Sequence, residues 1–593
     1  MLLLTILLAN FLGNASPARL AYTLTFGSAD TTMIAVTLVV RHAPAAMQLA
    51  ANAHPEYDDK YWRYVDGVTA TTSNGRTIAV SKLDSVRWQI QNEGGADVNI
   101  AYRVKFPEEP APRSAWRPFL SPTGGLVGGP HSFLYIVGLE KESPDVTLDI
   151  PRGWKVGSGL EGPSTARHFT AKDVHALMES PMLVGNLSEW TFKVRNIPHR
   201  VFYWKLPNAS AFDSTAFVSG IEKVATEAMQ LFKTAPYREY SFLFQDGAWD
   251  GGLEHPNSVT LGAQSGELAR NPNFTLREIA HEFFHTWNLM AIEPAEYREV
   301  DYRVQPPVAE LWFSEGLTIF YADLLRRRAG IPLDDSTRLV HLENLMEQYT
   351  SMPGNARYSA EQISRVAYNA RPTEFGDYTA SAHLLGEVLG AVLDFRIRDA
   401  TNGARSMDDV MRSMYTRFAN RKFTSRDVMK AVDDVCSCSS ASIFNQYVFN
   451  AGAIDFNRYL EPMGLRAEIS MKPATGRDGK LQADLRVWAW EEGDSLLLRV
   501  GHPNSVWGKA GLHTGDRIVS VNGSAVNKWP AFRNVLRNLA IGDSISISVQ
   551  RGDQKLSKVI VVTGYDQPDV TLRQIARPSE KQERIFRAWL AGN

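Results

Sequence analysis

One short segment, TLREIAHEFFHTWN, constrains the fold most, because its polar side chains can act together only if the segment is a helix. Thr275 followed by Glu278 has the pattern of a capping box, which predicts the start of a helix. His281 and His285 are four residues apart, about one helical turn, so both imidazoles project from the same face. That placement suits a Zn²⁺ ion, whose nitrogen ligands lie at about 2.0–2.1 Å.

Glu282 stands directly after the first histidine and completes the pattern H-E-x-x-H. Its carboxylate is able to accept a proton from a water whose pKa the metal lowers to about 7. The pattern is the signature of zinc peptidases, although it also arises by chance and two helical histidines can be merely packed. On this segment alone, both interpretations stay open.

A second segment, LWFSEGLTIFYADLL, offers a third metal ligand. A catalytic zinc needs three protein ligands and one open position. Glu315 lies early in a predicted helix with an apolar face, where a carboxylate is costly to bury unless it is paired or coordinated. We therefore predict that Glu315 is a ligand; the alternative is a solvated glutamate in the first helical turn.

The segment DGGLEHPNSVTLG precedes the histidine helix and places Glu254 just before a predicted strand at residues 258–261. Gly251 and Gly252 permit a close approach of another backbone. A peptide lying along the strand by backbone pairing would bring its free amino group to the Glu254 carboxylate. The alternative is a turn glutamate without a special role.

Tyr378 lies at the start of a further predicted helix, in the segment EFGDYTASAHLLGEVL. A phenol donor aimed at a scissile carbonyl would stabilise the oxyanion that forms there. From the residues alone, a tyrosine that simply packs in the protein is equally compatible with the pattern.

Composition excludes some partners and fits several folded domains. The 63 Lys+Arg and 65 Asp+Glu residues nearly balance and form no long block of one sign, so bulk charge gives no support for a nucleic-acid partner. With 593 residues and 44% hydrophobic side chains, three or four domains with packed cores are expected.

The pattern of elements along the chain predicts a multidomain α+β protein. Residues 19–206 read as an all-β, sandwich-like domain, with strands such as the alternating Val98, Ile100, Tyr102 and Val104 and another at residues 192–197. Residues 207–470 read as a mixed α/β part followed by a helical one. After a linker that starts at residue 471, residues 484–565 suggest a small β domain, and residues 566–593 a helical tail.

The first 18 residues predict a signal peptide, because an apolar run of about a dozen residues precedes small residues and is too short to span a membrane. Cleavage after Ala15 or Ala18 fits this prediction, and a buried first strand is the alternative. We expect an exported protein, periplasmic or extracellular, with no membrane span in the mature chain. Cys436 and Cys438 are either free thiols or a local bridge, and the sequence does not decide between them.

Taken together, these segments resemble the glycyl aminopeptidase family, the PDZ-bearing zinc metallopeptidase family 61 of the gluzincin type. They are more distantly similar to the aminopeptidase N family. The likeness extends over most of the chain: the β domain, GGLEH, HEFFHTWN, LWFSEGLT, the tyrosine-led helix and a C-terminal segment, NSVWGKAGLHTGDRIVSVNG, that resembles a bacterial PDZ domain. The motifs within residues 251–321 are the most specific.

The resemblance implies a thermolysin-like catalytic domain with one Zn²⁺ per chain. It assigns a role to each candidate: zinc ligands to His281, His285 and Glu315, the general base to Glu282, substrate binding to Glu254 with Gly251 and Gly252, and transition-state stabilisation to Tyr378. This chain departs from the family where Thr-Ala-Ser-Ala at residues 379–382 replaces a run with Lys-Gly, and where Glu293-Pro294 replaces Arg-Pro.

The leading hypothesis is an aminopeptidase that acts on peptides with a free N-terminus and favours a small first residue, glycine or alanine. A zinc endopeptidase and a catalytically inactive, PDZ-containing binding protein are the alternatives. The PDZ-like segment could bind an extended peptide by strand addition or serve as a structural lid, and the residues favour neither.

Overall fold

Several strands in the first third of the chain alternate buried and more exposed residues. The computed structural model describes residues 19–27, 31–52, 60–106, 113–297, 306–331, 338–367, 371–476 and 478–592, so the predicted signal peptide lies outside the described residues. The chain divides into two units, one formed by residues 1–111, 116–189 and 202–205, the other by 112–115, 190–201 and 206–593.

The first unit is β-rich, as predicted, with two short helices. Its elements are β1 (Leu20–Phe26), β2 (Met33–Val40), β3 (Met47–Ala50), β4 (Val65–Thr72), β5 (Thr77–Ile78), β6 (Val80–Lys82), β7 (Arg87–Ile90), β8 (Val98–Lys105), β9 (Phe119–Ser121), β10 (Gly124–Val127), α1 (Gly129–Ser132), β11 (Tyr135–Ile136), β12 (Asp145–Asp149), β13 (Lys155–Ser158), β14 (His168–Thr170), α2 (Val174–Met178) and β15 (Met182–Gly185).

These strands form three sheets with the orders β14-β12-β1-β2-β8-β4-β5, β13-β15-β10-β9 and β11-β3-β7-β6. In β8 the predicted apolar face is buried, since every second residue from Val98 to Val104 is inaccessible. The hydroxyl of buried Tyr102 donates to the carbonyl of Ser132 at 3.0 Å, so its burial leaves no unpaired phenol.

Mixed α/β structure follows, as the sequence predicts. Its elements are β16 (Leu187–Val194), β17 (Ile197–Trp204), α3 (Ser214–Phe232), β18 (Tyr240–Gln245), β19 (Gly252–Glu254), β20 (Ser258–Gly262), α4 (Ser265–Arg270), α5 (Leu276–His285), β21 (Ile292–Pro294), α6 (Leu311–Ser314), α7 (Gly316–Arg328), α8 (Arg338–Ser351), α9 (Ala360–Val366), α10 (Ala382–Ala400), α11 (Met407–Phe418), β22 (Arg421–Phe423), α12 (Ser425–Cys436), α13 (Ala441–Ile443) and α14 (Phe456–Leu460).

A five-stranded sheet with the order β16-β17-β18-β20-β19 supports the helices of this part. The predicted single strand at residues 192–197 is wrong, because the chain reverses there between β16 and β17. Arg195 and Asn196 both have positive φ, 49° and 66°, which is the backbone of a tight hairpin turn.

The C-terminal elements are β23 (Leu465–Pro473), β24 (Val487–Glu492), β25 (Ser495–Val500), α15 (Val506–Lys509), β26 (Arg517–Val521), β27 (Ser524–Ala525), α16 (Trp529–Arg537), β28 (Ser544–Arg551), β29 (Gln554–Val561), β30 (Asp566–Gln574) and α17 (Glu580–Leu590). Elements β24 to β29, with α15 and α16, enclose one apolar core, as expected for a PDZ-like β domain.

The predicted elements were wrong at both ends of this domain. Residues 471–473, predicted as linker, belong to β23, and residues 566–574, predicted as helical tail, form β30. The two strands pair antiparallel from Leu465 opposite Gln574 to Pro473 opposite Asp566. Carboxylates of α8 accept hydrogen bonds from the other side of β30, at Val570 and Leu572, which covers its edge.

The last part of the tail is a helix, as predicted. Ser579 forms a capping box at the start of α17, and Ile585 and Trp589, one turn apart, are buried. Cys436 and Cys438, left undecided by the sequence, form a disulfide at the end of α12. Among the described residues, none of the helices combines the length and the apolar character needed to cross a bilayer.

Glu310 ties the start of α6 to the start of α12. Its carboxyl, 2% exposed, accepts a hydrogen bond of 3.0 Å from the backbone N–H of Ser425. Burial raises the pKa of Glu310 to about 8, and the neighbouring carboxyl of Glu296 adds to the rise. The folded protein therefore holds a proton that the unfolded chain releases near its ordinary pKa of 4.5.

This raised pKa predicts a pH-dependent stability. The contribution of Glu310 to the free energy of unfolding is fully present below pH 4.5 and is lost as the pH rises towards 8. Between these two values the folded state binds more protons than the unfolded state, so each rise in pH favours unfolding. Each pH unit in that window costs about 1.4 kcal/mol per extra proton. Glu310→Gln, which keeps the acceptor, should flatten the decline in urea unfolding measured between pH 5 and 8. Equal slopes for both proteins would contradict this prediction.

Candidate metal centre

Helix α5 carries the two histidines, although it does not begin as predicted. Thr275 precedes the helix, but its hydroxyl caps nothing and is buried without a partner among the described residues. Its backbone, at φ −86° and ψ 0°, already continues the turn formed by the preceding residues. An N-cap hydroxyl reaches the third helical N–H only from an extended backbone, so the expected capping box does not form.

His281, His285 and Glu315 converge, as predicted. The two Nε2 atoms are 3.1 Å apart, and Oε2 of Glu315 lies 3.5 Å from Nε2 of His281 and 3.4 Å from that of His285. A tetrahedral ion with bonds of about 2.05 Å holds its ligand atoms about 3.3 Å apart. The three donor atoms therefore have the spacing of one face of a tetrahedral zinc site, and the residues fit the metal.

The charge states of His281 and Glu315 also suit a metal. Burial lowers the pKa of His281 to about 4, so its imidazole is neutral at pH 7. Burial alone would raise the pKa of Glu315, but the charges of His285 and His383 hold it well below its ordinary value. Burial acts to lower the pKa of His285, but the Glu254 and Glu315 carboxylates raise it well above its ordinary value, so a metal would have to displace a proton from this imidazole. Neutral imidazole and ionised carboxylate are the forms that bind a metal ion.

Asn288 contacts both parts of the chain that carry the predicted ligands, through its backbone carbonyl and through its side-chain amide. Its backbone carbonyl lies 3.0 Å from Nδ1 of His285, so this ring nitrogen donates there and Nε2 stays available for a metal. Its side-chain NH₂ contacts the carbonyls of Phe313 and Ser314, both at 3.1 Å, directly before Glu315. One asparagine thereby fixes the orientation of one ligand and the position of another.

Glu282 lies on the same buried side of α5, with a free hydrogen-bonding position. Its Oε2 atom has no hydrogen-bond partner among the described residues, which is costly for a buried carboxylate unless water or substrate binds there. Burial raises the pKa of Glu282 well above its ordinary value, and the charge of Glu254 adds to the effect. A carboxylate of raised pKa is a suitable proton acceptor.

Gly252 makes room for Glu282. A Cβ atom at Gly252 would lie 2.6 Å from Cγ of Glu282 and 2.9 Å from its carboxyl carbon. The close approach that the sequence predicted for the double glycine is therefore an approach to the candidate base. At Gly251, a Cβ would instead meet the ring of Trp249 at 2.2 Å, and its carbonyl accepts from the N–H of Gly262 at 2.9 Å.

Glu254 lies with the metal ligands, as predicted, but on a different strand. Its carboxylate and the donor atoms of His285 and Glu315 are all within 4.8 Å of one another. Glu254 ends β19, which pairs with β20 (residues 258–262) and forms the edge of the described sheet. Since β20 is paired on both sides, a peptide cannot add to it, and β19 is the edge strand of the described sheet on the Glu254 side at which strand addition could occur.

Tyr378 does not begin a helix. Helix α10 starts four residues later, with Ser381 as its N-cap, because Thr379 and Ser381 are held by backbone and side-chain bonds to the neighbouring turn at Pro353–Ala356. The ring of Tyr378 lies 4.4 Å from the guanidinium carbon of Arg357. Among the described residues, no contact recorded for Tyr378 reaches the predicted metal ligands, so its predicted role there stays a prediction.

His383, in the first turn of α10, was not predicted from the sequence as a site residue. Its Nε2 atom lies 3.2 Å from Oε2 of Glu315, although the two residues are far apart in sequence. No local pattern pairs them, since the contact depends on how α7 and α10 cross. Asn288 was also missed, and there a signal existed: a polar amide follows the buried, helix-ending segment HTW directly.

The crossing of α7 and α10 is a contact between glycines. A Cβ atom at Gly316 would lie 2.3 Å from the Cα of Gly386, and one at Gly386 would lie 1.9 Å from the carbonyl oxygen of Trp312. Gly316 directly follows Glu315, and Gly386 comes three residues after His383. The two glycines therefore set the distance at which the ligand and the histidine meet.

Comparisons with known proteins identify the parts of the chain. Residues 21–186 match the Peptidase M61 N-terminal domain, residues 275–386 match M61 glycyl aminopeptidase, and residues 502–562 match the PDZ domain. The resemblance drawn from the motifs is thereby confirmed, as is the multidomain α+β fold.

The similarity to a solved aminopeptidase N family structure shows the fold. An aminopeptidase N family protein from Idiomarina loihiensis is 19% identical with a TM-score of 0.75, covering 95% of this chain and 100% of its own. An M1 zinc metallopeptidase variant from Deinococcus radiodurans, bound to a Tyr-Ser-Ala substrate, is 14% identical with a TM-score of 0.45, covering 70% of this chain and 89% of its own.

A curated relative is similar over a shorter stretch. The regulator of sigma-E protease RseP of Escherichia coli is 34% identical over 101 residues, which cover 14% of this chain. This chain spans only 22% of that relative's length.

The glycine crossing predicts a selective loss of metal affinity. Gly386→Ala forces backbone atoms apart and should lower the free energy of unfolding by about 3 kcal/mol. It should also weaken zinc binding about tenfold or more, because Glu315 moves with α7. Zinc titration with a chromophoric competitor measures this affinity.

Gly390→Ala, one turn further along α10, is the matched control. The new Cβ would come closest to the flexible end of Leu317, at 3.0 Å, and would lie at ordinary contact distance, 3.4 Å, from the ring of Phe320, so zinc affinity should stay unchanged. Equal zinc affinity of the two variants would show that the Gly316–Gly386 contact does not position Glu315.

Proposed function

As a member of the M61 glycyl aminopeptidase family, the chain is a peptidase, and we propose that it is a zinc aminopeptidase that removes a small residue from the free N-terminus of peptides. The observation that carries this proposal is the position of Glu254 beside His285 and Glu315, two of the three predicted metal ligands. Glycine or alanine is the proposed first residue, supported by the description of the matched family.

His281, His285 and Glu315 would hold the metal. Their donor atoms, 3.1–3.5 Å apart, leave room for one further position, as a catalytic rather than a structural zinc requires. When bound, zinc polarises the scissile carbonyl and lowers the pKa of a water. All three side chains are held by protein contacts, so little reorganisation is needed on binding.

Glu282 is the proposed general base. Its unpartnered Oε2 accepts the proton of the attacking water, and the same carboxyl then returns the proton to the leaving amine. Because Gly252 has no side chain, the Glu282 carboxylate is not displaced from this position. Burial, which raises the pKa of Glu282, suits a group that must bind and release a proton in one cycle.

The position of Glu254 determines which bond is cut. In a peptide, the terminal nitrogen and the first carbonyl carbon are about 2.5 Å apart, whereas each further residue adds about 3.3–3.6 Å. Because the Glu254 carboxylate is within 4.8 Å of the ligand atoms, an ammonium bound there brings the first peptide bond to the metal. The second peptide bond would lie too far along the chain.

Tyr378 is the proposed oxyanion donor, with its phenol hydrogen-bonding to the oxygen that becomes negative during the attack. This role is supported by its place in the family motif and by its position five residues before His383, on the segment that leads to the site. The PDZ domain is proposed to bind peptides as PDZ domains do, by strand addition.

We also propose that the protein is exported. Two features support this: the apolar run within the first 18 residues, and the disulfide between Cys436 and Cys438, since disulfides persist mainly in oxidising compartments.

Blocking the substrate amino group tests the proposed reaction. The tripeptide Ala-Phe-Ala should release free alanine, and its N-acetyl form should react at least about thirtyfold more slowly, since losing a buried charge pair costs about 2–5 kcal/mol. Glu254→Gln should bring the two rates closer together. Glu282→Gln and a chelator should each stop both reactions. Mass spectrometry of the products measures this, and equal cleavage of both peptides would indicate an endopeptidase instead.

Export predicts a processed N-terminus. The full-length chain expressed in a Gram-negative host should be recovered from the periplasm, beginning after Ala15 or Ala18. N-terminal sequencing of the purified protein checks this. A cytoplasmic protein that retains residues 1–18 would refute the proposal.

A further inference from the structure

Residues 371–381 form a turn and an extended segment that lead into α10, and they carry Tyr378. On one side this segment rests on the turn at Pro353–Ala356: the N–H of Gly354 donates to the carbonyl of Thr379 at 3.1 Å. The N–H of Ser381 donates to Oδ1 of Asn355 at 2.9 Å. These bonds fix the segment after Tyr378 but not the turn before it.

The turn before Tyr378 is held by the PDZ domain. Asp377 accepts two hydrogen bonds from it: one of 2.6 Å between its Oδ2 and Nδ1 of His513, and one of 2.7 Å from the backbone N–H of Thr514 to its Oδ1. The backbone of Gly515 also approaches this turn closely, since a Cβ there would lie 3.3 Å from the side-chain Cγ2 of Thr373. Gly515 has φ +95°, so a side chain there would be strained as well as crowded.

The part of the PDZ domain that binds Asp377 is held in place by hydrogen bonds of its own. Asp516, 2% exposed, accepts from the N–H of His513 at 2.9 Å. It also forms two hydrogen bonds with the guanidinium of Arg551, at 2.6 and 2.7 Å. Arg551 in turn donates to the carbonyl of Gly511 at 2.8 Å. Bidentate pairs of this kind fix both position and direction.

We propose that the PDZ domain takes part in catalysis by positioning Tyr378, with Asp377 as the positioning residue. This inference rests on the proposed role of Tyr378 as oxyanion donor. Asp377 is bonded to Tyr378 in sequence, so a PDZ domain that holds its carboxylate at two points also fixes the backbone from which the phenol projects. The ring is then steadied by Arg357, 4.4 Å from its centroid.

Positioning of Tyr378 by the PDZ domain should affect kcat rather than KM. An oxyanion donor acts mainly in the transition state, so its displacement lowers kcat and leaves KM nearly unchanged. The PDZ domain therefore controls turnover through a contact that does not touch the substrate. A peptide-binding module with no link to Tyr378 would have no such effect on kcat.

A double-mutant cycle tests this proposal in the full-length enzyme. Asp377→Ala and His513→Ala should each lower kcat about fivefold to tenfold with KM within about twofold, and the double variant should lose no more than Asp377→Ala alone. In a Tyr378→Phe background, Asp377→Ala should have no further effect. Thermal unfolding and zinc content, measured on every variant, should match the parent protein.

Lys528→Ala is the matched control, because it removes an exposed ion pair with Glu491 within the PDZ domain itself and should leave kcat unchanged. Asp377→Asn keeps an acceptor for Thr514 and should recover part of the loss, which also covers the case in which Asp377→Ala does not fold. Additive losses, or parental kcat in Asp377→Ala and Asp377→Asn, would overturn the positioning role. Parental kcat in Tyr378→Phe would instead overturn the proposed role of Tyr378 itself.

Discussion

Three ionisable side chains share a buried space at the centre of this protein, and most of the catalytic part is arranged to hold them there. His281, His285 and Glu315 have donor atoms within 3.5 Å of one another, an arrangement that is costly to desolvate unless a cation joins them. The amide of Asn288 and the close contact of Gly316 with Gly386 fix that spacing. A metal would then bind to a site that the fold has already formed.

Sequence reasoning succeeded where chemistry and local geometry coincide. Two histidines one turn apart must share a helical face, and a glutamate amid apolar residues needs a partner, so spacing and burial cost indicated that these three side chains meet, although the histidine pattern by itself also fitted simple packing. It failed for His383, because nothing near that residue indicates that α10 will cross α7 at a pair of glycines. Such a contact depends on long-range packing, which a single sequence does not encode in any local pattern.

Two local patterns were overridden by their surroundings. Thr275 and Glu278 have the residues of a capping box, but the preceding turn gives Thr275 a backbone from which its hydroxyl cannot cap. Tyr378 precedes α10 rather than starting it, because hydrogen bonds to Gly354 and Asn355 hold the following residues extended. In both cases the surrounding structure outweighed a local preference for starting a helix, which is worth about 1 kcal/mol.

The C-terminal domain is held at more points than a flexible appendage requires. The chain enters it from β23 and leaves it through β30, and these strands pair along their whole length, so both connections start from one fixed ladder. Glu343 and Glu347 of α8 bind the outer side of that ladder. Asp377 then adds a further attachment at the turn before Tyr378. A domain attached in this way has little freedom to turn independently, as the proposed positioning of Tyr378 requires.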